Sequence, residues 1–192
     1  MKTNSSELFS DQSALTENEI EIINKCIPIK DFKKGTVLLA AGQIAREAYF
    51  IIKGCIRAYY LVGGEELTTA FYTENESCAS LNSYTNQIPS THYLECIEDC
   101  TLSVLTYQNE QQLIKKYPAF ESICRKNVES DFGKNQETLS NYITKSPEER
   151  YIHLQNTRPD LLQRIQQYHL ATYLGVKPES LSRIRKRIAQ KL

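Results

Sequence analysis

Short apolar runs fill the first part of the chain and alternate with turn residues. The six runs are Thr36–Ala40, Tyr49–Ile52, Cys55–Val62, Leu67–Tyr72, Tyr93–Ile97 and Thr101–Thr106. Most are separated by glycines, at Gly35, Gly42, Gly54 and Gly63-Gly64, and the last pair is separated by Glu98-Asp99. Short strands at regular spacing, joined by glycine-bearing turns, are typical of antiparallel barrels and jelly rolls. The pattern therefore predicts a β-roll between residues 32 and 108.

Helical patterns flank these strands. Residues 15–26 predict a helix with Thr16 as its N-cap, because Glu19 follows at the spacing of a capping box. Residues 109–118 predict a short helix. From Ala119 to about Lys145, apolar residues recur near the helical spacing, which predicts one long helix of about 25 residues. Its apolar stripe must be buried against the barrel or against a second copy of the chain.

Residues 167–186 carry the pattern of a helix-turn-helix. Ala171 is the small residue needed where two helices touch, and Gly175 tolerates the positive φ of the turn. Pro178 suits the first turn of the second helix. The buried positions of such a motif should be apolar, and they are filled by Leu170, Leu174, Val176, Leu181 and Ile184. The alternative is an ordinary helical hairpin.

The second helix of a helix-turn-helix enters the major groove, and its N-terminal residues reach base edges. An arginine can bind guanine and a glutamate can accept from cytosine, whereas later basic residues meet phosphates. The predicted DNA-binding residues are Lys177, Glu179, Ser180, Ser182, Arg183, Arg185, Lys186 and Arg187, with Lys191 as a further phosphate contact. The alternative for the basic run is a cationic helix end that stabilises its own dipole.

The charge distribution agrees with this division, although the net charge is zero. Residues 146–192 contain nine Lys or Arg and only four Asp or Glu, so the rest of the chain is acidic. This favours an acidic body with a basic module, although a solvated basic tail would have the same composition. The sequence contains no run of 18 apolar residues, so no membrane span is predicted. Residues 1–7 lack the apolar stretch of a signal peptide, so a cytoplasmic protein is expected.

Enzyme, metal and redox functions are not expected from the sequence. None of the six cysteines forms a Cys-x-x-Cys pair, and reduced packing residues are the expectation. Iron–sulfur ligation is disfavoured because Cys26 is the only early cysteine. His92 is the only histidine in the predicted barrel, so a cupin-type metal site cannot be built. No nucleophile elbow, phosphate loop or His-Glu-x-x-His occurs, and no metal or cofactor is predicted.

Phe32–Gly35, Tyr49–Gly54 and Arg57–Tyr60 look like β-roll signatures, and the chain resembles the Crp–Fnr family of transcription regulators. Residues 146–151, 171–175 and 181–186 resemble a subgroup common in Bacteroidetes. The resemblance implies an α+β protein with a cyclic-nucleotide-binding-like β-roll at 1–118, a dimerisation helix at 119–145 and a helix-turn-helix domain at 146–192. It also implies that Glu179 and Arg183 contact bases, while Pro178 stands where a further basic reader is found in the cyclic-AMP receptor. The implied partners are double-stranded DNA, a second copy of the chain, a small effector and RNA polymerase.

The chain departs from that family at the effector pocket. The glutamate that binds the ribose and the arginine that binds the cyclic phosphate fall on Ala79-Ser80 and Ser90-Thr91. A buried phosphodiester needs a paired cation, so cyclic AMP is not the expected effector. A polar cleft remains at Ser80, Tyr84, Ser90, Thr91 and His92, and it either takes another effector or is vestigial.

The winged hairpin of the family is expected to be short or missing, because only residues 154–166 precede the helix-turn-helix and the sequence stops at Leu192. The sequence thus predicts a sequence-specific DNA-binding transcription regulator. The alternative is a ligand-sensing β-roll that acts through protein partners, which would not need a basic recognition helix.

Overall fold

The computed structural model describes residues 15–190, so the segment 1–7 and Lys191 lie outside the described residues. The chain forms two compact units. The first contains residues up to Ala58 together with Phe71–Phe132, and the second contains Tyr59–Ala70 together with the residues from Gly133 onward.

The first unit is built on the predicted β-roll. The strands of the roll are β1 (Ile29–Phe32), β2 (Val37–Leu39), β3 (Glu47–Lys53), β4 (Ile56–Val62), β5 (Glu65–Tyr72), β6 (Ser77–Cys78), β7 (Tyr93–Cys96) and β8 (Cys100–Thr106). Of these, β4 and β5 lie largely in the second unit. They form two four-stranded sheets, in the orders β1-β8-β3-β6 and β2-β7-β4-β5. β8 pairs antiparallel with β1 and β3, with Ser103 opposite Ile29 and Phe50. The prediction of an antiparallel roll is confirmed, but it missed the short strands β1 and β6.

Alternating burial explains how the roll closes around its core. Along β7 every second residue is buried, with Leu94 and Cys96 pointing inward. Leu102 and Val104 of β8 and Ile51 of β3 are fully buried. This period-two pattern is the one that a sheet with one face on a core requires.

Eight helices accompany the strands in the described residues: α1 (Glu17–Cys26), α2 (Leu81–Asn86), α3 (Tyr107–Lys116), α4 (Pro118–Thr144), α5 (Pro147–Thr157), α6 (Pro159–Arg164), α7 (Gln167–Tyr173) and α8 (Pro178–Ala189). The predicted capping box at Thr16 is present, since Glu19 N–H donates to the Thr16 hydroxyl at 3.4 Å and Thr16 N–H donates to the Glu19 carboxylate at 2.8 Å. Ser146 and Glu149 form an equivalent box at the start of α5.

The long helix α4 confirms the prediction of a helix over 119–145, and its first turns are held by the first unit. Phe120 packs with Ile23, Ile27, Leu113 and Tyr117, so α1, α3 and the start of α4 share one apolar cluster. Sheet residues such as Phe50, Ile52 and Leu105 pack against this cluster. Farther along α4 the apolar residues are exposed, with Phe132 at 63% and Leu139 at 60%.

The second unit contains the end of α4, helices α5 to α8 and residues Tyr59–Ala70 of the β4–β5 hairpin. The Thr172 hydroxyl on α7 donates to the Thr68 hydroxyl on β5 at 3.0 Å. Helix α6 fills the interval between α5 and α7, and within the described residues 146–190 no strand occurs. None of the helices in residues 15–190 is long and apolar enough to cross a membrane.

Candidate nucleic-acid interface and effector cleft

The turn between α7 and α8 has the hydrogen bonds of a Schellman motif. Val176 N–H donates to the Ala171 carbonyl at 2.9 Å, and Gly175 N–H donates to the Thr172 carbonyl at 3.0 Å. This geometry needs a left-handed residue at the position of Gly175, which has φ +69°. The sequence signal that predicted the turn is therefore explained by its backbone conformation.

The two helices are held together by the predicted apolar positions. Leu170, Ala171 and Leu174 on the α7 side are at most 2% exposed, and Leu181 and Ile184 on α8 are buried against them. Ala171 is fully buried, which fits a close contact between helices where a larger side chain would not fit. Val176, in the turn, is only half-buried.

Four polar residues form the outward face of α8, which we name the reading face: Glu179, Ser182, Arg183 and Lys186. A helix turns by about 100° per residue, so positions three, four and seven apart share a face. Glu179, Arg183 and Lys186 follow that spacing and are exposed, on the side opposite Leu181 and Ile184. The face combines one carboxylate with two cations and one hydroxyl, which are groups that contact base edges and phosphates.

The remaining predicted DNA contacts lie beside this face. Lys177 and Arg185 are exposed, and Ser180 is half-buried. The Arg187 guanidinium forms an ion pair with Glu148 at 3.3 Å, which ties α8 to the first turn of α5. Arg187 thus has a partner inside the protein, which sequence reasoning did not foresee.

In the predicted effector cleft, two serines bond to each other. The Ser80 and Ser90 hydroxyls lie 3.0 Å apart in a hydrogen bond, and both residues are at least 96% buried. The Ser90 hydroxyl also donates to the His92 carbonyl at 2.9 Å, and the Ser90 backbone exchanges hydrogen bonds with Gly42 and Gln43. These polar groups are satisfied within the protein.

The other three cleft residues have different surroundings. Tyr84 is buried and packs edge-on against Tyr107, with ring centroids 5.5 Å apart. Burial raises the pKa of the Tyr84 hydroxyl, and Glu110 beside it adds to the effect. Thr91 is exposed, and His92 is half-buried, so its pKa is lowered by desolvation. The structure thus brings Ser80, Ser90 and His92 together but directs Tyr84 toward α3.

A buried charge in the roll was missed by the sequence analysis. Arg57 on β4 is only 2% exposed, and its guanidinium donates to the Glu95 carboxylate on β7 at 2.6 Å. A buried ion pair needs close geometry to offset desolvation. Because the partners are far apart in sequence and meet only when β4 and β7 become neighbours, no local pattern indicates the pair.

None of the six cysteines forms a disulfide, and Cys55, Cys78, Cys96 and Cys100 are buried in the roll. Burial raises the pKa of the Cys78 thiol, and the S–H of Cys96 donates to Cys100, which raises the pKa of Cys96. Raised pKa values make Cys78 and Cys96 packing groups rather than nucleophiles. The hydrogen bond from Cys96 lowers the pKa of Cys100. Within residues 15–190, no group of three or more His, Cys, Asp or Glu side chains is arranged to hold a metal ion.

The β-roll matches a known protein family. Residues 29–117 match the sequence model of the cyclic nucleotide-binding domain. This segment covers β1 to β8 and the helices α2 and α3. None of the curated proteins matches the sequence significantly.

Solved structures then extend the likeness to nearly the whole chain. A protein of the crp/fnr family of transcriptional regulators from Eubacterium rectale superposes with a TM-score of 0.74 at 16% identity, covering 96% of this chain and 88% of its own. The c-di-GMP responsive global regulator CLP of Xanthomonas campestris gives 0.72 at 16% identity, with 92% and 93% covered. The catabolite activator protein of Thermus thermophilus gives 0.57 at 18% identity, with 94% and 86% covered.

The fold is therefore a β-roll followed by a long helix and a helix-turn-helix. More particularly, it is the fold seen in regulators of the Crp/Fnr family, and residues 29–117 match the cyclic nucleotide-binding domain. The resemblance to a Bacteroidetes-type subgroup stays a prediction.

Proposed function

We propose that this protein is a sequence-specific DNA-binding transcription regulator, and that α8 is its recognition helix. The observation that carries the proposal is the reading face, where Glu179, Arg183 and Lys186 are exposed on one side of α8. Leu181 and Ile184 on the opposite side fix the orientation of that face. A helix so placed presents base-reading groups at its N-terminal end, as in other helix-turn-helix proteins.

The proteins of similar structure support the same class of function. They are a transcriptional regulator, a global regulator of gene expression and a catabolite activator protein.

Selection of bound fragments from genomic DNA tests the proposal. We expect purified protein to enrich fragments that share one motif, and to bind that motif with an affinity that falls steeply with salt. Weak binding without a shared motif would contradict sequence-specific recognition. Failure to bind DNA or heparin at any salt concentration would instead favour the alternative of a roll that acts through protein partners.

We further propose that the protein acts as a dimer through α4. Its exposed residues Val128, Phe132, Asn135, Leu139 and Tyr142 follow alternating spacings of four and three, and we name this set the seam. That spacing is the one of a coiled coil, in which a single buried Asn fixes the register. Two recognition helices related by a two-fold axis would meet two half-sites on DNA.

The effector of the roll is not cyclic AMP in this proposal. The positions expected to hold a ribose and a cyclic phosphate carry Ser80 and Ser90, whose hydroxyls bond to each other. Calorimetry with cyclic AMP should show no binding in the micromolar range. A micromolar or tighter constant would contradict this part of the proposal.

A further inference from the structure

We infer that the β-roll carries a binding cavity for a small organic anion with an apolar body, apart from the Ser80–Ser90 cleft. The cavity lies where β2, the loop before β3 and the start of α3 meet, and its volume is about 700 Å³. Small-molecule sites typically enclose about 300–1,000 Å³. The cavity can bind a ligand whether or not the protein binds DNA. A role of that ligand in regulating DNA binding rests on the proposed function.

This cavity is distinct from the predicted cleft. None of the five cleft residues lines it, although Gln87 at its wall donates to the Tyr84 carbonyl at 2.7 Å. In the cleft, the serine hydroxyls are paired inside the protein. In the cavity, Gln43, Gln87 and Glu47 bond within the protein. Arg46 and Gln108 are exposed, and they are the lining side chains that can meet a ligand.

The charge of the cavity comes from Arg46. Its carbonyl accepts a hydrogen bond from Tyr107 N–H at 2.8 Å, which fixes Arg46 beside the start of α3. Within the part of the chain that the structure describes, no carboxylate forms an ion pair with its guanidinium. Glu47 also lines the cavity, but it accepts from the Tyr49 hydroxyl at 2.8 Å and lies 3.8 Å from the Lys30 ammonium. The unmatched charge is therefore positive.

Helix α3 adds to this positive potential. Thr106 caps the helix by accepting from Asn109 N–H at 3.1 Å, and the next residues, Tyr107 and Gln108, line the cavity. The N-terminus of a ten-residue helix carries partial positive charge and favours anions. A guanidinium and a helix start on one cavity select a ligand with a negative head group.

The apolar residues of the cavity wall determine the body of the ligand. Leu38, Leu39, Ile44 and Ala45 give the cavity an aliphatic side. An arylcarboxylate fits both features, because its ring can pack on this side while its carboxylate meets Arg46. A neutral sugar or an organic cation would leave the guanidinium unmatched.

A tryptophan reporter can test the site, because the chain contains no tryptophan. Gln108→Trp places an indole at the cavity, and its fluorescence is followed during titration with 4-nitrobenzoate, a quencher. The neutral 4-nitrobenzamide is the matched control ligand. Leu61→Trp, at a residue 51% exposed on the β4–β5 hairpin, measures collisional quenching. Gln43→Trp replaces the first reporter if Gln108→Trp does not fold.

We expect saturable quenching by 4-nitrobenzoate at the cavity reporter, and only linear quenching at Leu61→Trp. Adding Arg46→Gln should weaken binding by about tenfold or more, since a charged hydrogen bond is lost. Arg46→Lys should keep most of the affinity, and Lys34→Gln, outside the cavity, should keep all of it. Equal binding of the benzamide, equal quenching at both reporters, or no effect of Arg46→Gln in folded protein would overturn the inference.

The selection experiment with genomic DNA, run on the same protein preparation, separates the two proposals. If saturable quenching is absent while motif-specific DNA binding is present, the cavity assignment alone is wrong. If the quenching behaves as expected but no DNA is bound, the cavity assignment stands and the proposed function is wrong.

Discussion

The serine side chains of the cleft in the β-roll are buried and paired, whereas the polar side chains on the outer face of α8 are exposed. In the roll, Ser80 and Ser90 are buried and their hydroxyls bond to each other at 3.0 Å. On α8, Glu179, Arg183 and Lys186 are exposed, and their side chains point away from the core of the helix-turn-helix. The first arrangement stabilises the fold, and the second leaves its hydrogen-bonding capacity for another molecule.

This difference separates structural polar groups from candidate recognition groups. A buried polar group costs free energy unless it is paired, so pairing inside the protein points to a structural role. On α8 the exposed Arg187 pairs with Glu148, whereas Lys186 stands on the reading face. Substitutions in the roll should therefore change the stability of the fold, and substitutions on exposed faces should change association.

The largest effect should come from Leu139→Asp in the seam. Leu139 is 60% exposed in the single chain, so the change should leave the monomer folded. In the dimer each copy would lose a buried leucine, at about 1.5–3 kcal/mol per side chain, so the dissociation constant should rise about a hundredfold or more. Sedimentation equilibrium measures this constant. Ser130→Asp, off the seam, is the control. A wild-type chain that is monomeric with and without DNA would contradict dimerisation through the seam.

The next effect should come from Ser90→Ala in the roll. The change removes three contacts of the Ser90 hydroxyl and leaves Ser80 without its partner, so the free energy of unfolding should fall by about 1–3 kcal/mol. Urea unfolding measures the loss. Thr91→Ala, at the exposed neighbour, should stay within about 0.5 kcal/mol of wild type. Equal effects of the two changes would show that the serine pair is not structural.

Gly175→Ala should have a smaller effect on the helix-turn-helix. Alanine in the left-handed region costs about 1–2 kcal/mol, and its Cβ would also lie 2.6 Å from the Tyr142 hydroxyl. Thermal unfolding and DNA affinity should both fall. Gly133→Ala is the matched control, because it lies within α4 with open space around the added Cβ, and it should raise stability by about 0.5–1 kcal/mol. A stabilising Gly175→Ala would rule out the turn geometry.

The smallest effect concerns pH and His92. Burial lowers its pKa below 6.5, so the unfolded chain binds a proton more readily than the folded chain does. This contribution to stability is complete above the unfolded pKa and is lost as the pH falls below it. The unfolding midpoint should therefore decrease between about pH 7.5 and pH 5.5, and His92→Gln should make that decrease shallower. An identical pH profile in the variant would show that His92 does not contribute.

Local signals allowed much of the fold to be predicted. The capping box at Thr16 and the turn at Gly175 each depend on residues within a few positions of one another. Helix α4 and six of the strands followed from periodicity. Strands β1 and β6 and helices α2 and α6 were missed, because these short segments contain no run of apolar residues between turn residues.

The missed features of the sites depend on long-range contacts. The Arg57–Glu95 pair, the Arg187–Glu148 pair and the cavity at Arg46 each join segments that are far apart in sequence. The exposure of the reading face was predicted, because a helix-turn-helix fixes it locally. The hydrogen bond between Ser80 and Ser90 was not predicted, because two hydroxyls in one cleft can bond to each other or to a ligand.

The most direct test of the account compares Arg183→Ala with Lys186→Ala on the selected motif and on a scrambled duplex, at several salt concentrations. A base contact should be lost in Arg183→Ala, at a cost of about 1–3 kcal/mol on the motif and little on the scrambled duplex. A phosphate contact should be lost in Lys186→Ala, which should weaken both duplexes alike and reduce the salt slope by about one. If Arg183→Ala weakens both duplexes equally, or Lys186→Ala weakens only the motif, the proposed docking of α8 is wrong.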